Sequence, residues 1–153
     1  FGMEVYAYDA FCPASVIEAD GVKAVASTAD LFKACQIVSL HIPATAETKQ
    51  SINYSLLSLM PKGALLINTA RKEAIYEEDL ARILEERTDF HYVADVAPTI
   101  ADTLKEKFGN RVFFTPKKMG AQTAEANINA GIAAARQSVG YLKDGIEKFK
   151  VNK

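Results

Sequence analysis

Short apolar runs of strand-forming residues, separated by stretches with helical spacing, constrain this chain more than any other feature. The runs are Val5–Tyr8, Ala24–Ala26, Ile37–Leu40, Ala64–Ile67, Tyr92–Ala94 and Val112–Phe114. Between them, Leu56, Leu57 and Met60 share one face of a helical pattern over Asn53–Met60, which stops at Pro61. Leu80, Ile83 and Leu84 do the same in Glu77–Arg87, where acids in the first turn suit the helix dipole. Asp30–Cys35 predicts a shorter helix N-capped by Thr28, and the alanine-rich Thr123–Leu142 predicts a long one. Strands alternating with helices indicate an α/β fold built on a parallel sheet.

The most informative single stretch is Gly63–Ile75, GALLINTARKEAI. Ala64–Ile67 reads as a strand buried on both faces of a parallel sheet. It ends in the polar cluster Asn68, Thr69, Arg71, Lys72 and Glu73. Ligands of open α/β sheets bind beyond the carboxyl ends of strands, so Arg71 stands where a fixed cation would meet an anionic substrate. Prolines mark other strand ends, because proline cannot donate to the ladder. The loops Asp9–Pro13, His41–Thr48, Asp95–Thr99 and Thr115–Thr123 are therefore expected to converge with the Arg71 loop on one crevice.

Composition narrows the partners. A chain of 153 residues with 49% hydrophobic and 24% charged residues suits one globular domain. A net charge of -1 gives no basic surface for nucleic acid or an anionic membrane. No apolar run approaches the roughly 20 residues that span a bilayer. Cys12 and Cys35 fit free thiols in a reducing cytoplasm. Two distant histidines, His41 and His91, and unpaired thiols indicate no metal site. No nucleophile elbow for hydrolysis is present.

The strand-end residues point to a dinucleotide. Asp9 closes the first run, and an acid there accepts hydrogen bonds from the adenosine ribose while repelling a 2′-phosphate, which favours NAD over NADP. Asp95 could hold the nicotinamide carboxamide or cap its own turn, and His41 could face the cofactor or be structural. The glycine-rich phosphate motif is missing, since the closest pair among the 8 glycines is Gly140 and Gly145. That motif belongs to the strand and helix ahead of the Asp-bearing strand. The expectation is therefore a Rossmann-like doubly wound parallel sheet without its first strand, Gly-rich loop and first helix, cut before Phe1. Such a piece should bind NAD weakly, without its pyrophosphate cradle, and be inactive alone. Lys117 and Lys118 follow Thr115–Pro116. One of them, buried beside Arg71, would have its pKa lowered by desolvation and like charge, and could shuttle a proton.

QIVSLHIPATAET, MPKGALLINTARKEAI, YVADVAP and FFTPKKMGAQTAEA together resemble the D-isomer-specific 2-hydroxyacid dehydrogenases, nearest to short D-3-phosphoglycerate dehydrogenases. The resemblance covers Phe1 to about Gly140. It implies that residues 1–142 are a partial NAD-binding domain and 143–153 a tail returning toward a substrate domain. It matches Asp9 to the ribose-binding acid, and it places His41, Pro43 and Thr48 in the adenosine-side loop. Thr69, Ala70, Gly120 and Ala121 match residues beside the nicotinamide, and Asp95 matches the carboxamide-binding aspartate. Arg71 matches the catalytic arginine, whose fork suits a carboxylate.

Two departures stand out. The family has a glutamate about five residues after the aspartate matched by Asp95, where this chain has Ile100. The family's acid/base histidine falls on Lys118 counted back from Gly120, or on Lys117 counted from Pro116; Lys118 is favoured. The resemblance implies NAD-dependent oxidation of a D-2-hydroxy acid, 3-phosphoglycerate first, by a cytoplasmic homodimer joined through the nucleotide-binding domain. The alternatives are a glyoxylate or hydroxypyruvate reductase, or a nucleotide-sensing relative without turnover.

Overall fold

The computed structural model describes residues 2–116 and 123–150. The chain divides into two compact units, Phe1–Lys118 and Met119–Lys153. The first contains β1 (Tyr6–Ala7), α1 (Ala14–Ala19), β2 (Lys23–Ala24), α2 (Thr28–Ala34), β3 (Ile37–Leu40), α3 (Tyr54–Leu57), β4 (Leu65–Asn68), α4 (Glu77–Glu86), β5 (His91–Ala94), α5 (Ala101–Phe108) and β6 (Val112–Phe114). Strands β1 and β2 pair in parallel as a separate ladder, and β3-β4-β5-β6 form a four-stranded sheet in that order. All three pairings of the larger sheet are parallel. This is the expected Rossmann-like α/β architecture.

The core lies on one face of the larger sheet. Val38, Leu40, Leu66, Tyr92, Ala94, Val112 and Phe114 from the strands cluster with Phe32, Leu57, Leu80, Ile83, Leu84, Leu104 and Phe108 from α2 to α5. These helical residues recur at the spacing that keeps them on one stripe, which is why each helix can dock. The expectation that β4 is buried on both faces is corrected. Burial alternates along it, with Leu66 and Asn68 buried and Leu65 and Ile67 only partly so. Ile37 and Phe113 on the same alternate face are largely exposed, because the buried helical residues of the first unit all join the opposite side.

Several boundaries shift for local reasons. The helix expected from Asp30 begins at Thr28 and is capped by Ser27, not Thr28; the Ser27 hydroxyl accepts from the Asp30 N–H at 3.1 Å. Ser27 takes the extended backbone an N-cap requires, and Thr28 already lies in the first turn. The helix expected over Asn53–Met60 is one turn, Tyr54–Leu57, with Asn53 as its cap. The expected strand Ala24–Ala26 shortens to Lys23–Ala24.

The amino ends of the strands are pinned by a charged brace. Arg87 donates to the Met60 and Pro61 carbonyls, each at 2.8 Å, and pairs with Asp89 at 2.6 Å. Asp89 accepts the Gly63 N–H at 2.7 Å. Gly63 has φ +76°, a backbone conformation that favours glycine, and a Cβ there would also displace the Gln36 amide, which lies 2.8 Å away.

In the second unit, α6 (Ala124–Asp144) is capped by the Thr123 hydroxyl, which accepts from Ala126 N–H at 3.0 Å. It closes on Gly145 at φ +64°, with Gly145 and Ile146 N–H groups bonded back to Tyr141 and Gly140 carbonyls. No described helix is long and apolar enough to cross a membrane.

Two outcomes follow. Leu66 is fully buried on the central strand, so Leu66→Ala should cost about 3 kcal/mol in urea unfolding. Hydrogen bonding from Arg87, then from the Gly63 N–H, holds the Asp89 carboxyl well below the usual carboxylate range. A pKa depressed in the folded state contributes stability that is complete above about pH 4 and lost as pH falls below it. The stability gap between the native protein and Asp89→Asn should thus be present at pH 7 and shrink progressively below pH 4, at low salt because the pair is partly exposed. A gap unchanged down to pH 2 would contradict the brace.

Candidate functional site

The register of the larger sheet assembles the site. Leu40 pairs with Asn68, Asn68 with Ala94, and Ala94 with Phe114. The next residues of the four strands, His41, Thr69, Asp95 and Thr115, therefore leave the sheet along one edge, its carboxyl edge. A cleft of about 370 Å³ opens there, lined by His41, Ile42, Pro43, Thr69, Ala70 and Arg71. Five of those six residues were singled out in the sequence.

The two loops lining the cleft are tied to each other. Ile52 and Ile75 form an isolated parallel bridge. Gln50 N–H donates to the Glu73 carbonyl at 2.8 Å, and Ile52 N–H to the Ala74 carbonyl at 3.0 Å. Thr48 braces its own loop: its hydroxyl donates to the Pro43 carbonyl at 2.5 Å and accepts from Thr45 N–H at 2.8 Å. The sequence places Thr48 among cofactor contacts; the structure shows its hydroxyl engaged in shaping the Pro43 turn. His41 is exposed, with Nε2 3.0 Å from the Ser39 hydroxyl.

Arg71 is exposed at the cleft, and its guanidinium has no polar partner among the described residues. Its backbone is extended, and the following turn, Lys72–Ala74, is a single 3₁₀ turn that carries the chain away from the cleft. Lys72 reaches instead toward the loop after β5, with Nζ 3.5 Å from the Thr99 hydroxyl.

Asp95 stands at the end of β5, where its N–H donates to the Asn68 carbonyl at 3.0 Å. The hydroxyl of Thr115, the residue after β6, lies 2.7 Å from the Asp95 carbonyl and 3.1 Å from its Oδ1, so it sits against both the backbone and the carboxylate of Asp95. Asp9 follows β1, on the separate ladder. Its Oδ1 accepts the Phe11 and Cys12 N–H groups at 2.7 and 2.9 Å, which lowers its pKa and keeps it ionised. An ionised carboxylate with one oxygen fixed in a turn suits ribose hydroxyls. Lys117, Lys118, Gly120 and Ala121 lie outside the described residues.

Three residues were not picked out as site residues. Asn68 is the one buried polar side chain among the described residues. Thr115 acts on Asp95 as described. Glu77, at the start of α4, accepts the Thr99 and Ile100 N–H groups at 2.8 and 3.2 Å. Each acts across a long sequence separation or through a local turn, and no motif spacing announces it. No group of three metal-ligating side chains occurs among the described residues.

Known proteins resemble this chain in sequence and fold. The family model for the NAD-binding domain of D-isomer-specific 2-hydroxyacid dehydrogenases matches residues 1–116. D-3-phosphoglycerate dehydrogenase of Haemophilus influenzae is 32% identical over 99% of this chain and 37% of its own length. Hydroxypyruvate reductase of Thermotoga maritima is 34% identical over 86% of this chain and 43% of its own. The crystal structure of NAD+-bound 3-phosphoglycerate dehydrogenase from Entamoeba histolytica is 45% identical, with a TM-score of 0.86, over 99% of this chain and 48% of that one. The chain thus spans less than half the length of these relatives.

If Thr115 orients Asp95 toward a nicotinamide carboxamide, Thr115→Val should weaken NAD binding by roughly tenfold. ADP-ribose, which lacks the nicotinamide, should bind within twofold of its native affinity. Calorimetry with both ligands checks this, and equal losses for both would point to general disruption.

Proposed function

Because the chain belongs to the D-isomer-specific 2-hydroxyacid dehydrogenases through their NAD-binding domain, we propose that the protein oxidises a D-2-hydroxy acid with NAD, and that its substrate is 3-phosphoglycerate. The observation that carries this reading is the Arg71 guanidinium, exposed in a cleft with Thr69, Ala70, His41 and Pro43 and without a polar partner among the described residues. A fork of N–H donors at a strand's carboxyl end is matched to a substrate carboxylate and to the oxygen that becomes a carbonyl.

The donor set fits the dinucleotide. The ionised Asp9 would hold the adenosine ribose, the His41–Pro43 turn would flank the adenosine, and Asp95 with Thr69 and Ala70 would hold the nicotinamide end. The family resemblance assigns Gly120 and Ala121 to the nicotinamide as well. NAD when bound supplies the hydride acceptor. The chain's own work is to fix the carboxylate with Arg71 and to take the hydroxyl proton with Lys118, or else Lys117. Like charge from Arg71 lowers the pKa of a neighbouring lysine and makes it a competent base.

Phosphoglycerate dehydrogenases are among the similar proteins, which supports the phosphorylated substrate. The hydroxypyruvate reductase relative supports the second reading. Residues 1–142 as the NAD-binding domain, a tail at 143–153 returning to a substrate domain, and a homodimer through the NAD-binding domain belong to the same proposal and rest on the family resemblance. A cytoplasmic location is supported by the free thiols of Cys12 and Cys35.

In the protein as the cell makes it, Arg71→Ala should raise KM for 3-phosphoglycerate and lower kcat, for a combined loss of about 100-fold or more. Turnover of 3-phosphoglycerate well above that of glycerate supports the phosphoglycerate assignment; the reverse preference favours the reductase. Arg71→Ala with native kinetics would overturn the role of Arg71, and absent turnover on every 2-hydroxy acid would favour a nucleotide-sensing relative.

A further inference from the structure

The last residue of β4, Asn68, is buried to 2% exposure and leads directly into the loop Thr69–Arg71 that lines the cleft. Its side chain folds back on that loop. Asn68 Oδ1 accepts the Ala70 N–H at 3.0 Å, and its Nδ2 donates to the Arg71 carbonyl at 3.0 Å. One partner can only donate and the other can only accept, so the amide's orientation is fixed by chemistry. The same residue's carbonyl accepts the Asp95 N–H at 3.0 Å.

An N–H bond from residue i+2 to an Asx side chain closes the turn by itself. The second bond, to the carbonyl of residue i+3, is additional and clamps the peptide group that leaves Arg71. Burial makes both bonds costly to lose, because an unsatisfied polar group under the loop has no water to turn to. Tyr92 of β5 is 1% exposed beside Asn68; burial pushes its hydroxyl up to about 12, and a hydrogen bond with the Asn68 side chain works against that rise.

We infer that Asn68 is a positioning residue for Arg71: its amide clamps Ala70 N–H and Arg71 C=O so that the guanidinium is presented to the substrate carboxylate in one fixed backbone geometry. This rests on the reading of Arg71 as the substrate's carboxylate holder. A long, exposed arginine with no polar partner among the described residues has many rotamers. Fixing its backbone removes part of the ordering cost that substrate would otherwise meet on binding. Asn68 itself touches neither substrate nor cofactor.

Asparagine is suited to the task by size and by its pair of opposite poles. Aspartate keeps the shape and the acceptor for Ala70 but presents a second oxygen to the Arg71 carbonyl. Alanine removes both bonds. A purely structural role would lower stability and weaken every ligand alike. A positioning role acts on the 2-hydroxy acid through Arg71 and leaves the adenosine half of the site alone.

The test measures, in the protein as the cell makes it, KM for 3-phosphoglycerate, Kd for ADP-ribose and the melting temperature of Asn68→Asp and Asn68→Ala. Each is measured alone and combined with Arg71→Ala. The expected result is a KM raised about tenfold by Asn68→Asp, with ADP-ribose bound within twofold of the native value. In the Arg71→Ala background the same substitution should add less than twofold, because the group it positions is gone. Should Asn68→Ala not fold, Asn68→Asp carries the comparison. A native KM in a folded Asn68→Asp protein, or an undiminished penalty in the Arg71→Ala background, overturns this inference alone. Native KM for Arg71→Ala itself overturns the reading of Arg71 and this inference with it.

Discussion

The parallel ladder running Leu40–Asn68–Ala94–Phe114 is the constraint on which the site depends. In a parallel sheet the backbone bonds are evenly spaced, so one register fixes where every strand stops. Here it stops four strands level, and the residue after each stop, His41, Thr69, Asp95 or Thr115, enters the same edge. The ladder's bonding does not end with the strands. The Ile52–Ile75 bridge and the Gln50–Glu73 bond continue it outward and hold two otherwise separate loops against each other. The cleft is thus shaped mainly by backbone hydrogen bonds, which vary less with side-chain identity than packing does. Side chains such as Thr48, Asn68 and Thr115 then trim its loops.

The two ends of the sheet do different work. At the amino end, Arg87 spends its donors on Met60 and Pro61 carbonyls and on Asp89, and Asp89 reaches back to Gly63. Those groups are consumed by one another and carry stability. At the carboxyl end, Arg71 is left without a polar partner among the described residues; on the separate β1–β2 ladder, Asp9 has one oxygen committed to a turn. A polar side chain whose donors are not consumed within the protein is available to a ligand, whereas a stability device consumes its own. This contrast, more than exposure alone, separates the two arginines.

Strand positions, the parallel class and the site edge were legible in the sequence, because apolar runs and the residues that end them encode register locally. Arg71, His41, Pro43, Thr69 and Ala70, marked by their place after a run and by resemblance to a family, line one cleft. What was not legible has a common physical cause. Ser27 displaced Thr28 as a cap because both can serve, and the choice depends on where the chain enters the helix. The second face of β4 stayed partly open because burial is decided by which elements pack there, not by strand composition. Asn68 read only as the start of a polar cluster; its importance comes from being buried, which no single residue announces. Glu77 reaches a loop 22 residues away, and Thr115 acts on a carboxylate 20 residues earlier.

The two departures from the family pattern make sense together once Glu77 is considered. Where the family carries a glutamate, Ile100 packs against the core, and its N–H and that of Thr99 are taken by the Glu77 carboxylate. A carboxylate is therefore present beside this loop, but its two oxygens are taken by the Thr99 and Ile100 N–H groups just ahead of α5. An imidazole acting as acid and base uses a carboxylate partner to set its tautomer and steady its cation. A lysine has no tautomer to set. As a base it needs the opposite influence, because a nearby carboxylate stabilises the ammonium and raises its pKa, while a nearby cation lowers it. On the proposed reading, with Lys118 taking the proton beside Arg71, a glutamate at position 100 would work against the chemistry. Ile100 and a lysine after Thr115–Pro116 then form one coupled substitution: exchanging the base removes the need for the acid that served it, and frees that position for the core.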